Sequence, residues 1–217
     1  MFIQQMYNEK GGLSMNKIIT ISREFGSGGR ELGKRLADYL NIPCYDQEII
    51  DMIVQQYGFD EKRVAYGSEK DIRIYYPSTI ANRFMSMDSI LQQSLKTTAA
   101  QQKMIRQFAK QGDCVFVGRC ADVICKEMNP FNIFVYADQQ SKVERCRQRA
   151  NANERFSEKE ILKNMKQIDK EREAYRGMFT DDKWGNKSSY HFCINTSNKE
   201  IKTLIPGIAN YVNCWFE

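Results

Sequence analysis

Short runs of apolar, β-branched residues alternate along the chain with longer stretches whose apolar residues recur every three or four positions. Lys17-Ile-Ile-Thr-Ile-Ser22 is the first run, and its near-continuous hydrophobicity predicts a buried strand. Leu32, Leu36, Ala37 and Leu40 follow at helical spacing, predicting a helix that begins near Gly28 to Arg30 and ends before Pro43. Ile42 to Asp46 predicts a second short strand with an acidic end, and Ile49, Ile50, Ile53 and Val54 predict a helix over 47–57. Residues 58–78 are polar, carry tyrosines and show no clean period. Residues 79–111 predict one or two long helices, closed by Gly112-Asp113. Cys114-Val-Phe-Val117 predicts a third strand and Asn132 to Ala137 a fourth. The highly charged stretch from Ser141 to Arg176 is helical in pattern, with a break near Asn151–Asn153. Tyr190 to Asn195 predicts a fifth strand, and the remainder a last amphipathic helix.

Five short buried strands separated by helices imply an α/β protein with a mostly parallel five-stranded sheet. Ligands of such sheets bind beyond the carboxyl ends of the strands. Ser22 to Gly29, Asp46 and Gly118-Arg119-Cys120 occupy those ends. No internal repeat or low-complexity linker divides the chain, so residues 15–217 are expected to form one domain. Residues 1–14 lack the charged start and apolar stretch of a signal peptide. They are expected to lie outside the fold, as an extension from a start upstream of Met15.

Composition narrows the chemistry. The chain has 217 residues, 42% hydrophobic and 27% charged, ordinary for a globular domain. Its longest apolar runs are too short for a membrane-spanning helix, so no membrane partner is expected. The net charge of +5 is too mild for a nucleic-acid coat and suits a protein that handles a small polyanion. The aromatic residues do not interleave with a basic stripe, which also argues against nucleic acid. A single histidine excludes a His-rich metal site and leaves a Ser–His–Asp hydrolase with His191 alone, a residue inside a strand pattern. The seven cysteines form no C-x-x-C pair, and several sit inside apolar runs. A reducing, cytoplasmic compartment without a disulfide framework follows.

Strand, then Ser22-Arg-Glu-Phe-Gly-Ser-Gly-Gly-Arg30, then helix is the layout of a phosphate-binding loop. Its glycines let backbone N–H groups turn onto a phosphate at a helix N-terminus. The alternative is a glycine-rich turn without a ligand. A literal G-x-x-x-x-G-K match at Gly28 to Lys34 lies inside the helix and is followed by Arg35, so it is rejected. Counted from the strand end, Gly26 and Gly28 take the usual glycine positions. Gly29 then stands where such a loop carries its lysine. Arg30 is the nearest cation, able to grip two phosphate oxygens. Glu31 either supports Mg²⁺ through water or makes a contact at the helix start.

The segments IITISREFGSGGRELGKRLADYLNIPCYDQEII, FVGRCADVIC, KQIDKEREAYRGMFTDDKWG and YHFCINTS, in this order and spacing, resemble the cytidylate kinase-like family of P-loop proteins from about Lys17 to Thr196. The resemblance implies a P-loop NTPase fold with α/β/α layers, a helical acceptor-binding insert over 47–111 and a lid over 141–176. It implies an ATP- and Mg²⁺-dependent kinase with a nucleoside monophosphate, CMP or dCMP first, as acceptor. Gly26, Ser27, Gly28, Gly29, Arg30 and Glu31 would hold the ATP phosphates. Asp46, Arg119, Asp169 and Arg172 would face the acceptor. Arg145, Arg147 and Arg149 fall at the start of the lid, with Arg30, Arg145 and Arg149 over the transferring group. Cys120 departs from the aspartate of the kinases' Gly-Arg-Asp motif, and Asp122 is the substitute two residues on. Gln47 and Met52 replace a serine and an arginine used for CMP.

Two rivals stand beside this reading. One is a kinase of the same fold with another small-molecule acceptor. The other is a nucleotide-binding regulatory protein without turnover, suggested by the missing lysine. A homo-oligomer is compatible with all three. For the charged stretch, a solvated, salt-bridged helix face is the alternative to a lid. Trp184-Gly185 reads as a packed turn, and Phe84 to Met87 as helix core or contact surface.

Overall fold

The computed structural model describes residues 16–46, 87–149 and 156–217. The expected extension at 1–14, the helix at 47–57, the stretch 58–78, the start of the segment at 79–86 and the break at Asn151–Asn153 lie outside them.

Five parallel strands form one sheet in the order β2-β3-β1-β4-β5. They are β1 (Ile18–Arg23), β2 (Cys44–Tyr45), β3 (Cys114–Val117), β4 (Phe131–Tyr136) and β5 (Phe192–Asn195). β1 lies at the centre, pairing Ile18 with Cys114 of β3 and Ile19 with Phe131 of β4. The helices are α1 (Gly29–Leu40), α2 (Met87–Gln111), the short α3 (Ala121–Ile124), α4 (Gln139–Arg149), α5 (Glu158–Gly177) and α6 (Ile201–Phe216). The second strand is far shorter than its apolar run, because Pro43 lacks an N–H to donate to the ladder.

Side chains alternate across β1 and separate two cores. Ile19 and Ile21 join Leu32, Leu36, Ile205 and Val212 on the face that α1 and α6 cover. Ile18 joins Met104, Ile105 and Phe108 of α2 on the other. The result is three layers, helix on sheet on helix. α1 ends where Asn41 turns left-handed (φ 55°), with Ile42 donating its N–H to Ala37 O at 3.0 Å, before Pro43. Ser157 and Glu160 make a capping box at the start of α5, the signal expected of Ser-x-x-Glu. Val143, Ile161 and Met165 form a third, small core between α4 and α5. Among the described residues, no helix is long and apolar enough to cross a membrane.

His191 is structural, as its strand setting suggests. It pairs through both its N–H and its ring with Asn132 on β4, and it packs against Phe131 and Trp215. Trp184 meets Phe134 edge-on at 5.4 Å, and the neighbouring Gly185 (φ +76°) gives the packed turn expected there. All seven cysteines are free thiols. Burial pushes Cys114 and Cys125 up to about 12, so neither forms thiolate near neutral pH. Iodoacetamide near pH 8 is expected to label exposed Cys214 first and Cys114 and Cys125 only in denaturant, read by mass spectrometry. Early labelling of Cys114 in the folded protein would contradict this core.

Candidate functional site

The loop from Glu24 to Gly28 rises from the end of the central strand into α1. Gly26 and Gly28 adopt φ +76° and +84°, values that L side chains resist. No side chain caps α1, and no acceptor among the described residues takes the N–H groups of Gly26, Gly28, Gly29, Arg30 or Glu31. A row of unsatisfied donors at a helix start is a cradle for an anion.

The loop is braced from outside. Glu24 donates its N–H to Val135 O and forms an ion pair with Lys142 of α4 at 2.8 Å. Ser27 donates its hydroxyl to Glu24 O at 2.8 Å. Phe25 donates its N–H to Asp169 Oδ1 at 2.7 Å, and Arg172 donates to Arg23 O at 3.0 Å while lying over the Phe25 ring. Thr196, fully buried after β5, donates its hydroxyl to Ser27 O at 2.6 Å. Arg145 closes the ring of contacts. Its guanidinium lies 3.5 Å from Gly26 O and Ser27 O, 3.3 Å from Thr196 Oγ1 and 3.1 Å from Lys199 O, and it also bonds Thr196 O.

Several residues expected at the phosphates or the acceptor make contacts within the chain. Arg145 anchors the loop rather than swinging over it, and burial together with neighbouring Arg149 lowers its pKa. Asp169 and Arg172 hold the loop's entry instead of presenting free groups to an acceptor. Burial raises the pKa of Asp169 against the pull of Arg172, the Phe25 N–H and Lys142. Arg147 pairs with Glu158 at the surface. Arg149 reaches Glu31 at 2.8 Å, and Arg35 holds the same carboxylate at 2.8 Å. Burial pushes Glu31 up, but these two arginines outweigh it and hold its carboxyl below the usual range. This is the helix-start ion pair, one of the two roles read for Glu31. Arg30 pairs with Asp46 at 2.6 Å and thereby links the loop to the end of β2.

Asp122 departs furthest from its expected role. Both it and Arg176 of α5 are buried, and their side chains meet at 2.5 Å. A carboxylate spent on a buried guanidinium is not available to an acceptor. Arg119 is buried at the end of β3, where Gly118, Arg119 and Cys120 all take left-handed φ values of 79°, 61° and 52°. Two consecutive non-glycine residues in that region store strain, roughly 1–3 kcal/mol each, that persists only where the surroundings impose it. Lys142, Thr196 and Arg176 carry no sequence signal of a site role, because each acts through a partner distant in the chain. The spacing did hold one clue. Residues 145 and 149 share a helix face and 147 does not.

A cleft of about 1090 Å³ opens between α4 and the β5–α6 turn, lined by Glu31, Arg145, Arg149, Asn198 and Lys199 among others. No group of three His, Cys, Asp or Glu side chains among the described residues makes a metal cage. Mg²⁺ needs none when it arrives on phosphates with its waters.

Solved structures share this fold. An uncharacterised protein from Eubacterium ventriosum is 28% identical with TM-score 0.66, the match covering 91% of this chain and 98% of that one. Shikimate kinase from Bacteroides thetaiotaomicron shares the fold at 13% identity and TM-score 0.53, over 91% of this chain and 98% of that one. No curated protein gives a significant match. Residues 18–198 match the cytidylate kinase-like family, a span that holds every strand, the braced loop and Arg145. The chain therefore belongs to the cytidylate kinase-like family.

Proposed function

We propose that this protein is an ATP-dependent phosphotransferase that moves the γ-phosphoryl group of ATP to a nucleoside monophosphate, with CMP or dCMP the first acceptors to test. One observation carries the reading: a row of backbone N–H donors at the start of α1 that no acceptor among the described residues takes, in a loop braced from outside. Transfer of this kind asks little covalent chemistry of a protein. It asks for positioning and for positive charge on the phosphoryl oxygens. The loop amides would hold the donor phosphates, and the cleft between α4 and the β5–α6 turn has room for a nucleoside. Arg30 in the first turn of α1, Asp46 after β2 and Arg119 after β3 lie on the side of the sheet where an acceptor would meet the triphosphate. Mg²⁺ bound to the phosphates would neutralise part of their charge, with Asp46 or Glu31 reaching it through water.

The second reading, a different small-molecule acceptor, is favoured by the Asp122–Arg176 pair, which removes the substitute for the kinase motif's aspartate. The fold is also that of a shikimate kinase, so it does not choose the acceptor. A coupled ADP-release assay is expected to show turnover with CMP or dCMP well above ATP hydrolysis in their absence. Background rates with CMP, dCMP and UMP together would retire the nucleotide acceptor. A panel of shikimate, sugars and amino acids then tests the second reading. MgATP binding with no turnover on any acceptor would make the protein a nucleotide sensor.

A further inference from the structure

With Gly28 as the second glycine of Gly-x-x-x-x-Gly-Lys-[Ser/Thr], the first glycine position is Arg23 and the lysine position is Gly29. A glycine and a cation have exchanged places. The geometry makes the two changes depend on each other. A Cβ added to Gly29 would stand 2.5 Å from Arg23 Cβ, 2.9 Å from Arg23 Cγ and 3.3 Å from Val135 Cβ. Two side chains cannot both start here. The clash falls on the root of the arginine, not on its flexible end, so it is not relieved by a change of rotamer.

Arg23 is firmly placed to use that space. It pairs in register with Val135 of β4, and its carbonyl accepts from Arg172. Strand alternation puts its side chain on the face of Ile19 and Ile21, which α1 covers. Its stem therefore leaves the sheet directly beneath the first turn of α1, at the spot from which a lysine at 29 would leave the helix. Arg30, the nearest other cation, has a side chain 66% exposed and turned to Asp46.

We propose that Arg23 supplies the phosphate-binding cation of this loop, projecting from the end of β1 through the space that Gly29 leaves open. This rests on the loop being a triphosphate site. A guanidinium there stays charged at any working pH and offers two parallel donors to phosphoryl oxygens, where a lysine offers a point charge.

The test measures binding of MgATP and of inorganic tripolyphosphate by calorimetry, with thermal melts alongside, for the full chain and for Arg23→Ala, Arg23→Gly, Gly29→Lys and the double variant Arg23→Gly/Gly29→Lys. Arg23→Ala is expected to weaken both ligands about ten- to a hundredfold with the fold retained. Gly29→Lys alone is expected to lower the melting temperature, because both roots then occupy one space. The double variant is expected to regain tripolyphosphate affinity to within about threefold of the natural chain. Loss of folding in Gly29→Lys leaves the decision to the other three variants. Undiminished tripolyphosphate affinity in Arg23→Ala overturns the proposal, and so does a double variant no better than Arg23→Gly. Either result leaves the triphosphate site itself standing. Only a natural chain that binds neither ligand would remove both.

Discussion

Asp122→Ala is expected to destabilise the protein by about 3–5 kcal/mol, the cost of leaving one member of a buried ion pair alone. The side chains of Arg176 and Asp122 are 3% and 4% exposed. Arg176 also lies over the Tyr190 ring, and its Nε finds no acceptor among the described residues. Its charge is therefore satisfied chiefly through one carboxylate. Burial works against the Arg176 charge, and Asp122 more than compensates, so its pKa is raised. A raised basic group contributes stability that is fully present below its unfolded pKa and lost only as pH rises through the folded value. No pH near neutrality relieves the mutant by discharging the arginine. Urea denaturation midpoints, at an unchanged m-value, measure the loss. Replacing both residues, Asp122→Leu with Arg176→Met, is expected to recover much of it, because a packed apolar pair needs no desolvation. A loss below about 1 kcal/mol in Asp122→Ala would mean that the pair opens to water.

Arg145→Ala is expected to lower stability by about 2–3 kcal/mol and to weaken MgATP about tenfold or more. The guanidinium is shared among carbonyls of Gly26, Ser27, Thr196 and Lys199 and the Thr196 hydroxyl. Its removal takes a donor from each of these oxygens at once; Ser27 O keeps the Thr196 hydroxyl and Thr196 O the Lys199 N–H, and a buried acceptor left unpaired costs about 1–3 kcal/mol if water does not reach it. The loop would then lose this brace. Lysine is a poor replacement, because a point charge cannot span both sides of the fork. Arg147→Ala removes only an exposed pair with Glu158 and is expected to change stability by less than about 0.5 kcal/mol. Thermal melts and calorimetry separate the two effects. Equal behaviour of the two variants would deny Arg145 its bracing role.

The order of strands and helices was legible because burial imposes a period on sequence. Three of the four residues Ile18 to Ile21 are isoleucine, and β1 is covered on both faces. Leu32 and Leu36 repeat at one helical turn, and α1 buries them. Strand length was less legible. Ile42 to Asp46 has the apolar run of a longer strand, but only Cys44 and Tyr45 pair. The site was legible where backbone conformation requires a residue type, as at Gly26 and Gly28. It was not legible where function depends on which charge meets which. Asp122 and Arg176 find each other across the fold, and Arg145 reaches backward to a loop that precedes it by most of the chain. Composition records how many cations are present, not which of them are already spent. Six arginines drew attention as phosphate ligands or lid groups, and the structure shows Arg145 and Arg172 bracing the loop.

The central position of β1 has a consequence for the chain's birth. Both of its sheet neighbours, β3 and β4, lie far downstream. During synthesis the strand that will carry the phosphate loop emerges well before either partner exists. Parallel pairing across such a separation is slow, and an apolar segment waiting for it is prone to stick to other chains. Ile18 to Ile21, which end buried on every side, thus spend the longest interval of any strand exposed on the ribosome. The strand that organises the finished molecule is also the one whose apolar residues wait longest for their partners.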